Sequence, residues 1–407
     1  MSRLGMPSGR LLAAGLVAGS AVLPLGSPGI AAAAPAAGAA PPERTLGFVL
    51  SKFWYAMYEG DVSCPNGPAV GMDELAAPRV PKAERNVPKE EYFFKLRMLT
   101  FKGHTTARVM PGLLPEDPAA SPVFGLPGLN DQCLHPEQFD DPPHALVGGR
   151  HAFGMNLDGT DGSRVAPNSC AHEKFTTPDG TPGIDNQLYR VIGCTNAYRH
   201  DFPYSPNITN EYRDKNRKGG GVTTLIEVTG VDNVHDDADV TVGIYSSANP
   251  TRFDGEGNGI PFTSLTVSEK PEWRATTKGR IQKGVLTIDP VDVRLYQPQY
   301  LGAPAEYYLR GTHLALTLNE DGTAKGMLAG YFDIAAAFKL EYRGGGEALR
   351  GAPWGYTCPA MWAALTQNAD GYPDPKTGKC TAISTALNVE AVPAFIVHRR
   401  DEQTAQR

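Results

Sequence analysis

The chain has 407 residues, 41% of them hydrophobic, and a formal net charge of −6, with a pI near 5.9. That charge leaves no electrostatic footprint for nucleic acid or for an anionic membrane surface. The 45 glycines and 35 prolines describe a turn-rich globular chain, because low-complexity disorder would carry far fewer apolar residues.

Arg3 and Arg10 precede an uncharged stretch from Leu11 to Leu25, and small residues follow from Ala31 to Ala34. This is the layout of a secretory signal peptide, and residues 1–34 are assigned to it. Gly15, Gly19 and Pro24 interrupt the apolar run, which falls short of the roughly 20 residues of a spanning helix. No later segment comes closer, so no transmembrane segment is expected after signal removal, and the destination is periplasmic or extracellular. Residues 35–43 are almost all Ala, Pro and Gly, a leader with too little apolar surface to order. Residues 44–400 are expected to form one domain, with an irregular half at 44–221 and a strand-rich half at 222–400.

Thr45 to Tyr58 fits a buried strand or the start of a helix, which periodicity alone does not separate. Asp61 to Pro68 is a turn. Lys89 to Met98 places acidic residues first and basic residues last, in accord with the dipole of a short helix. Recurring prolines between Pro111 and Pro143 predict an irregular covering loop. The basic run from Arg213 to Lys218, interrupted by Asp214 and Asn216, reads as a solvated loop.

The pattern then changes. VTTLIEVTGV from Val222, DVTVGIYSS from Asp239, GVLTID from Gly284, THLALTL from Thr312 and KGMLAGYFDI from Lys325 alternate apolar and polar residues with β-branched enrichment. Asp321 and Gly322 supply a hairpin turn between the last two. The fold class is therefore mainly β (α+β): an antiparallel β-sandwich or jelly roll with a loop-rich N-terminal half and a few short helices. Pro359 opens one such helix, for which Gly371 is the stop. YPDPKTG is a turn before Cys380, and AVPAFIV from Ala391 supplies a final strand.

Cys64, Cys133, Cys170, Cys194, Cys358 and Cys380 all follow the signal. An even number in an oxidising compartment predicts three disulfides. No CxxC or CxxCH spacing occurs, which leaves zinc knuckles, thioredoxin-type redox chemistry and covalent haem unsupported. A short helix and turn separate Cys358 from Cys380, and these two are expected to pair.

The densest polar chemistry lies between Asn156 and Asn196. NLDGTDG places Asn156, Asp158 and Asp161 in a glycine-permissive loop, and PDGTPGIDNQ adds Asp179, Asp185 and Asn186. Calcium takes about six to eight oxygens from loops of this kind, so these six residues are candidate calcium ligands and calcium the one candidate cofactor. The same residue types also build β-turns and helix caps, and Asp185 fits the N-cap of a helix DNQLYRVIG. His104, His135, His144, His151, His172 and His200, mixed with Asp140, Asp141 and Glu173, make a rival metal site. None has HxH or HExxH spacing, so scattered surface positions account for most of them. His172, beside Cys170 and Glu173, is the best single candidate.

Nucleophilic serine chemistry has no foothold, for there is no GxSxG elbow and no SxxK pairing beside a plausible base. Glu227 and Asp239 fall on predicted strands, where they serve either paired-carboxylate catalysis or a solvated face. Trp54, Tyr55, Trp273, Tyr296, Tyr300, Tyr307 and Tyr308 are core residues or a platform for a sugar or apolar ligand. The functional expectation is an exported soluble protein that binds an unknown small-molecule, glycan or protein ligand, with no nucleic acid among its partners. The alternative is a secreted hydrolase acting on a polysaccharide or ester.

NLDG, PDGTPGIDNQLYRVIGC and ADGYPDPKTGKCTAIS resemble segments of a group of uncharacterised exported bacterial proteins. The likeness runs from about Asp61 to Val397 and implies export and this domain, but no activity. GIDN is also similar to the DGIDN segments of predicted metal-binding repeats in secreted bacterial proteins; here Thr181 and Pro182 stand where an Asp usually precedes Gly183, and the repeat does not recur.

Overall fold

The computed structural model describes residues 44–60, 63–65, 135–138, 145–195, 198, 210, 217–219, 223–300, 303–343 and 358–399. The expected signal peptide, the leader, the helix at 89–98, nearly all of the proline-rich loop and Cys133 lie outside the described residues. In chain order the principal elements are β1 (Arg44–Tyr55), β2 (Phe175–Thr176), β3 (Pro182–Ile184), α1 (Gln187–Ile192), β4 (Thr224–Val231), β5 (Asp237–Ser246), β6 (Thr263–Thr266), β7 (Arg274–Gln282) and β8 (Val285–Ile288). They continue with β9 (Val291–Tyr300), β10 (Ala303–Leu318), β11 (Ala324–Asp333), α2 (Ile334–Ala337), α3 (Cys358–Gln367), β12 (Gly371–Pro373) and β13 (Cys380–Val397).

The chain is mainly β, as its alternation predicts, but it forms neither a sandwich nor a jelly roll. Eight strands follow one another as β1-β4-β5-β7-β8-β10-β11-β13, and β13 pairs back onto β1. Every neighbouring pair in this ring is antiparallel, so the sheet is a closed barrel. Closure depends on β1, which bonds to β4 on one side (Leu46↔Val228) and to β13 on the other (Phe53↔Val389). Alternation cannot distinguish the architectures, since a strand is half-buried in both. The closing strand is also separated from β4 by a long insertion. Of the two readings open for Thr45 to Tyr58, the strand is correct. The last strand begins at Cys380, well before the expected Ala391, and pairs with β11 from Asp333↔Ala382 to Ala324↔Ala391.

An eight-stranded barrel is just narrow enough for side chains to fill it. Phe48 and Leu50, then Phe53 and Tyr55, all enter the main core, although strict alternation from Leu50 would send Phe53 outward. A bulge between Leu50 and Lys52 inserts the extra residue that resets the parity. The same device between Arg310 and His313 turns both Leu309 and Leu314 inward. Phe53 meets Tyr307 edge to face and Tyr307 meets Phe332 at a tilt in the interior, with ring centroids 5.0 and 5.3 Å apart. Leu188 and Val191 of α1 and Met361 and Leu365 of α3 join this core. The backbone N–H of Gln187 bonds the Ser384 hydroxyl at 2.8 Å, seating α1 where β13 begins.

The insertion between β1 and β4 is fastened covalently. Cys64 joins Cys194, and Cys170 joins Cys380, so the expected Cys358–Cys380 bridge is not formed. Cys380 lies opposite Pro373 in the β12–β13 pair, and a bridge from Ser169 to Gly371 brings Cys170 to the same place. The side chain of Cys358 lies outside the described residues. Among the described residues no helix is long and apolar enough to cross a membrane. The barrel core yields a direct test: Phe332→Ala removes a fully buried ring and is expected to cost about 3–5 kcal/mol, read as a fall in the urea midpoint with the slope unchanged; a loss below about 1 kcal/mol would contradict the packing described.

Candidate functional site

The six residues expected to hold calcium do not converge on one point. Asp161 accepts from the Ser163 N–H at 2.9 Å in an exposed turn, and Asp179 is bonded by Thr177 and Thr181 in another. Asn156 donates to the Thr160 carbonyl at 2.7 Å. Gly183, at φ 81, lets these loops meet, since a Cβ there would come within 3.1 Å of the Asn156 amide. Asn186 caps α1 through the Tyr189 N–H and donates to the Phe153 carbonyl. The cap thus falls one residue later than expected and frees Asp185 for another role.

Asp158 and Asp185 do come together, around an ammonium group. Lys174 Nζ lies 2.7 Å from Asp158 Oδ1 and 2.5 Å from Asp185 Oδ1, with its side chain 6% exposed. The cation that the sequence demands between these carboxylates is part of the chain. The second oxygen of Asp185 accepts the Leu157 N–H at 2.8 Å. His172 Nε2 approaches the first at 2.8 Å and stands 3.5 Å from Oδ2 of Asp370. Nδ1 of the same ring is 2.6 Å from the Cys170 carbonyl, which only accepts, so Nδ1 carries a proton. Asp370 is fully buried; its Oδ1 accepts the Ser384 N–H at 2.6 Å, and its Oδ2 has no hydrogen-bond partner.

This cluster sits on the outer wall of the barrel beneath the insertion. Arg310, Tyr331 and Ser384 are register neighbours across β10, β11 and β13, and the Tyr331 hydroxyl is buried without a partner. Gly371 makes room for it, since a Cβ there would lie 2.1 Å from the Tyr331 ring. That packing role replaces the helix stop expected of Gly371. Burial pushes Asp370 up to about 6 despite the opposing charge of His172. For His172 burial favours the neutral ring, but the bond to Asp185 and the charge of Asp370 outweigh it and the pKa is raised. Asp158 is held below the usual carboxylate range because Lys174 and Thr160 together overcome its desolvation. Desolvation of Tyr331, reinforced by the charges of Asp185, Asp370 and Asp158, keeps the phenol neutral. His313, also neutral through burial, bonds the Leu157 backbone.

Of the rival histidines, His172 is central, whereas His135 is an exposed partner of Glu137 and His151 packs its ring against Tyr58. His104, His144, His200, Asp140 and Asp141 lie outside the described residues. Glu173 is exposed, near Arg150 and Arg190. Lys174, Asp370 and Tyr331 were not singled out by sequence reasoning. Lys174 is two residues from His172 but carries no motif, whereas Tyr331 and Asp370 are brought to His172 by the β11–β13 and β12–β13 pairings and the Cys170–Cys380 bridge.

A second feature lies elsewhere on the barrel. A cleft of about 590 Å³ is lined by Trp273, Tyr296 and Tyr308 with Arg294, Glu306 and Asp333 among its polar groups. The rings of Trp273 and Tyr296 are stacked at 4.1 Å and 13°, and the Arg294 guanidinium lies 4.0 Å from the Tyr308 ring centre. Tyr55 and Tyr307 are buried in the core, Trp54 lies beneath Lys52, and the side chain of Tyr300 is outside the described residues. Glu227 is bonded by His398 at 2.7 Å and Asp239 by Lys278 at 2.7 Å.

Fold and site define a closed antiparallel barrel whose insertion, with its own buried charge cluster, is joined to it through the Cys170–Cys380 bridge and the His172–Asp370 pair. In comparisons with models of protein families, with characterised proteins and with solved structures, nothing matches this chain. The buried pairing inside the insertion is testable by Lys174→Met, which leaves Asp158 without its cation and Asp185 with His172 alone. A loss of about 3–5 kcal/mol is expected, the cost of breaking a buried pair, measured by denaturant unfolding; a loss under about 1 kcal/mol, the worth of an exposed pair, would contradict it.

Proposed function

We propose that this is an exported binding protein and that its ligand is an oligosaccharide held in the Trp273–Tyr296–Tyr308 cleft. The observation that carries this reading is the half-buried aromatic wall flanked by charged groups of both signs. Sugar rings present apolar C–H faces that stack on aromatic rings and hydroxyls that bond to carboxylates and guanidinium groups, a mixture matching a pocket of apolar walls with a few directed polar groups. Lys270 lies over Trp273 at 4.4 Å; an exposed contact of this kind is worth about 0.5–1 kcal/mol, little enough to yield to a ligand. Binding is favoured over the hydrolase alternative because two of the lining carboxylates already have structural duties. Glu306 pairs with Arg294 at 3.2 Å, and Asp333 caps α2 through the Ala336 N–H. Export is supported by the two disulfides, which persist in oxidising compartments.

Titration of the purified protein calorimetrically against a panel of soluble oligosaccharides is expected to give saturable binding to at least one of them. Trp273→Ala should weaken it by about tenfold or more, as for an aromatic hot spot, with an unchanged melting temperature. Failure of every saccharide to saturate the wild type, or equal binding by the variant, would refute the proposal. For export, the N-terminus of material recovered outside the cytoplasm is expected to fall between residues 31 and 43, and retention of Met1 would count against it.

A further inference from the structure

We infer that His172, Asp185 and Asp370 form a binding site for one divalent transition-metal ion, of the zinc type, with Nε2 of His172 and one oxygen from each carboxylate as ligands. The argument begins with the fixed tautomer. Because Nδ1 gives its proton to the Cys170 carbonyl, the lone pair of the neutral ring is on Nε2 and points at Asp185 Oδ1 and Asp370 Oδ2. Three electron-pair donors facing one another repel unless a cation lies between them, and that cation is either a proton on Nε2 or a metal ion. When the metal enters, the imidazolium loses its Nε2 proton to solvent, and the ring, now neutral with Nδ1 still protonated, offers the Nε2 lone pair to the ion.

Charge and hydrogen bonding both favour the metal. Asp158, Asp185 and Asp370 bring three carboxylates, and Lys174, bridging the first two, offsets one. A protonated His172 offsets one more, while a divalent ion offsets both that remain. Arg310 is turned onto the Tyr372 ring at 3.7 Å and toward Thr381, away from this balance.

The independent sign of a ligand is Asp370 Oδ2, an acceptor on a fully buried side chain with no hydrogen-bond partner, His172 Nε2 being 3.5 Å away, accompanied by a Tyr331 hydroxyl that also lacks a hydrogen bond. The three ligand atoms lie within 4.8 Å of one another, and Asp370 Oδ2 has no bond to surrender as it closes on an ion. An imidazole nitrogen with two carboxylates suits zinc-type metals, whereas calcium needs a larger all-oxygen shell. The Nδ1–H to carbonyl bond is the outer partner that orients a metal-bound histidine. Tyr331 or a water completes the set, and the edge of His172, whose side chain is 10% exposed, is the way in.

The test uses the purified full-length mature protein, stripped with EDTA, and the metals alone. Zinc chloride is expected to bind with one-to-one stoichiometry and to raise the melting temperature, with calcium chloride doing neither. Cobalt(II) should give the visible absorption bands of a low-coordinate nitrogen–oxygen site. Asp370→Asn and His172→Gln should each weaken zinc binding by more than about tenfold, the lower bound for losing even an outer partner. The inference is overturned if the folded wild type neither binds zinc nor gives the cobalt bands. It is equally overturned if both variants bind zinc as well as the wild type, which would place the metal on another site. Should either variant fail to fold, the cobalt spectrum of the wild type decides alone.

Discussion

Everything on the outer wall of this barrel depends on one electrostatic constraint: carboxylates sealed away from water must be matched by positive charge at hydrogen-bond range. Asp185 and Asp370 are fully buried, one supplied by the insertion and the other by the segment leading into β12. Neither is tolerable alone. Lys174 and His172, both from the insertion, lie against them; the pairs to Asp185 are internal to the insertion, and His172–Asp370 is the one that crosses to the segment before β12. The insertion is held in register by the contacts that cross, His172–Asp370 and the Cys170–Cys380 bridge.

The covalent and apolar contacts serve the same arrangement. The Cys170–Cys380 bridge lies two residues from His172 and fixes the backbone whose carbonyl sets the ring's tautomer. Tyr372 N–H and the Asn168 carbonyl, and Cys170 N–H and the Asp370 carbonyl, zip the same edges together at 2.8 Å each. α1 sits with Leu188, Val191 and Ile192 in the barrel core and its cap, Asn186, directly after Asp185. A helix start, a disulfide and a charge cluster thus share a few residues of chain, and a disturbance of one reaches the others. The aromatic cleft belongs to a different sector, built from β9, β10 and the turn before β7, where the main barrel core supports it from behind.

How much of this was legible in the sequence follows from which interactions are local. Alternation marked β4, β5, β8, β10 and β11, and the Asp321–Gly322 turn was correct because a hairpin is fixed by its own few residues. The strand-rich class followed; the barrel did not, since closure depends on β1 meeting β13 across more than three hundred residues of sequence. The polar residues between Asn156 and Asn196 divide between two kinds of role. Asp161, Asp179 and Asn186 perform the turn and cap roles that such residues perform anywhere, while Asp158 and Asp185 answer to Lys174, a residue with no motif to announce it. Asp370 was hidden in a segment that looks like a helix terminus and becomes a site residue only through the pairing of β12 with β13. The Cys358–Cys380 expectation failed for the same reason, as short sequence separation gave way to strand register.

The account rests on His172 holding a proton on Nδ1 in a buried bond to the Cys170 carbonyl, with Nε2 turned into the carboxylates. Nitrogen-15 NMR of the imidazole side chains, with His172 assigned through His172→Gln, measures this directly. The account predicts a far-downfield Nδ1 proton that exchanges slowly with water. A His172 ring whose protons exchange as fast as those of an exposed histidine, or whose resident proton is on Nε2 alone, would contradict it.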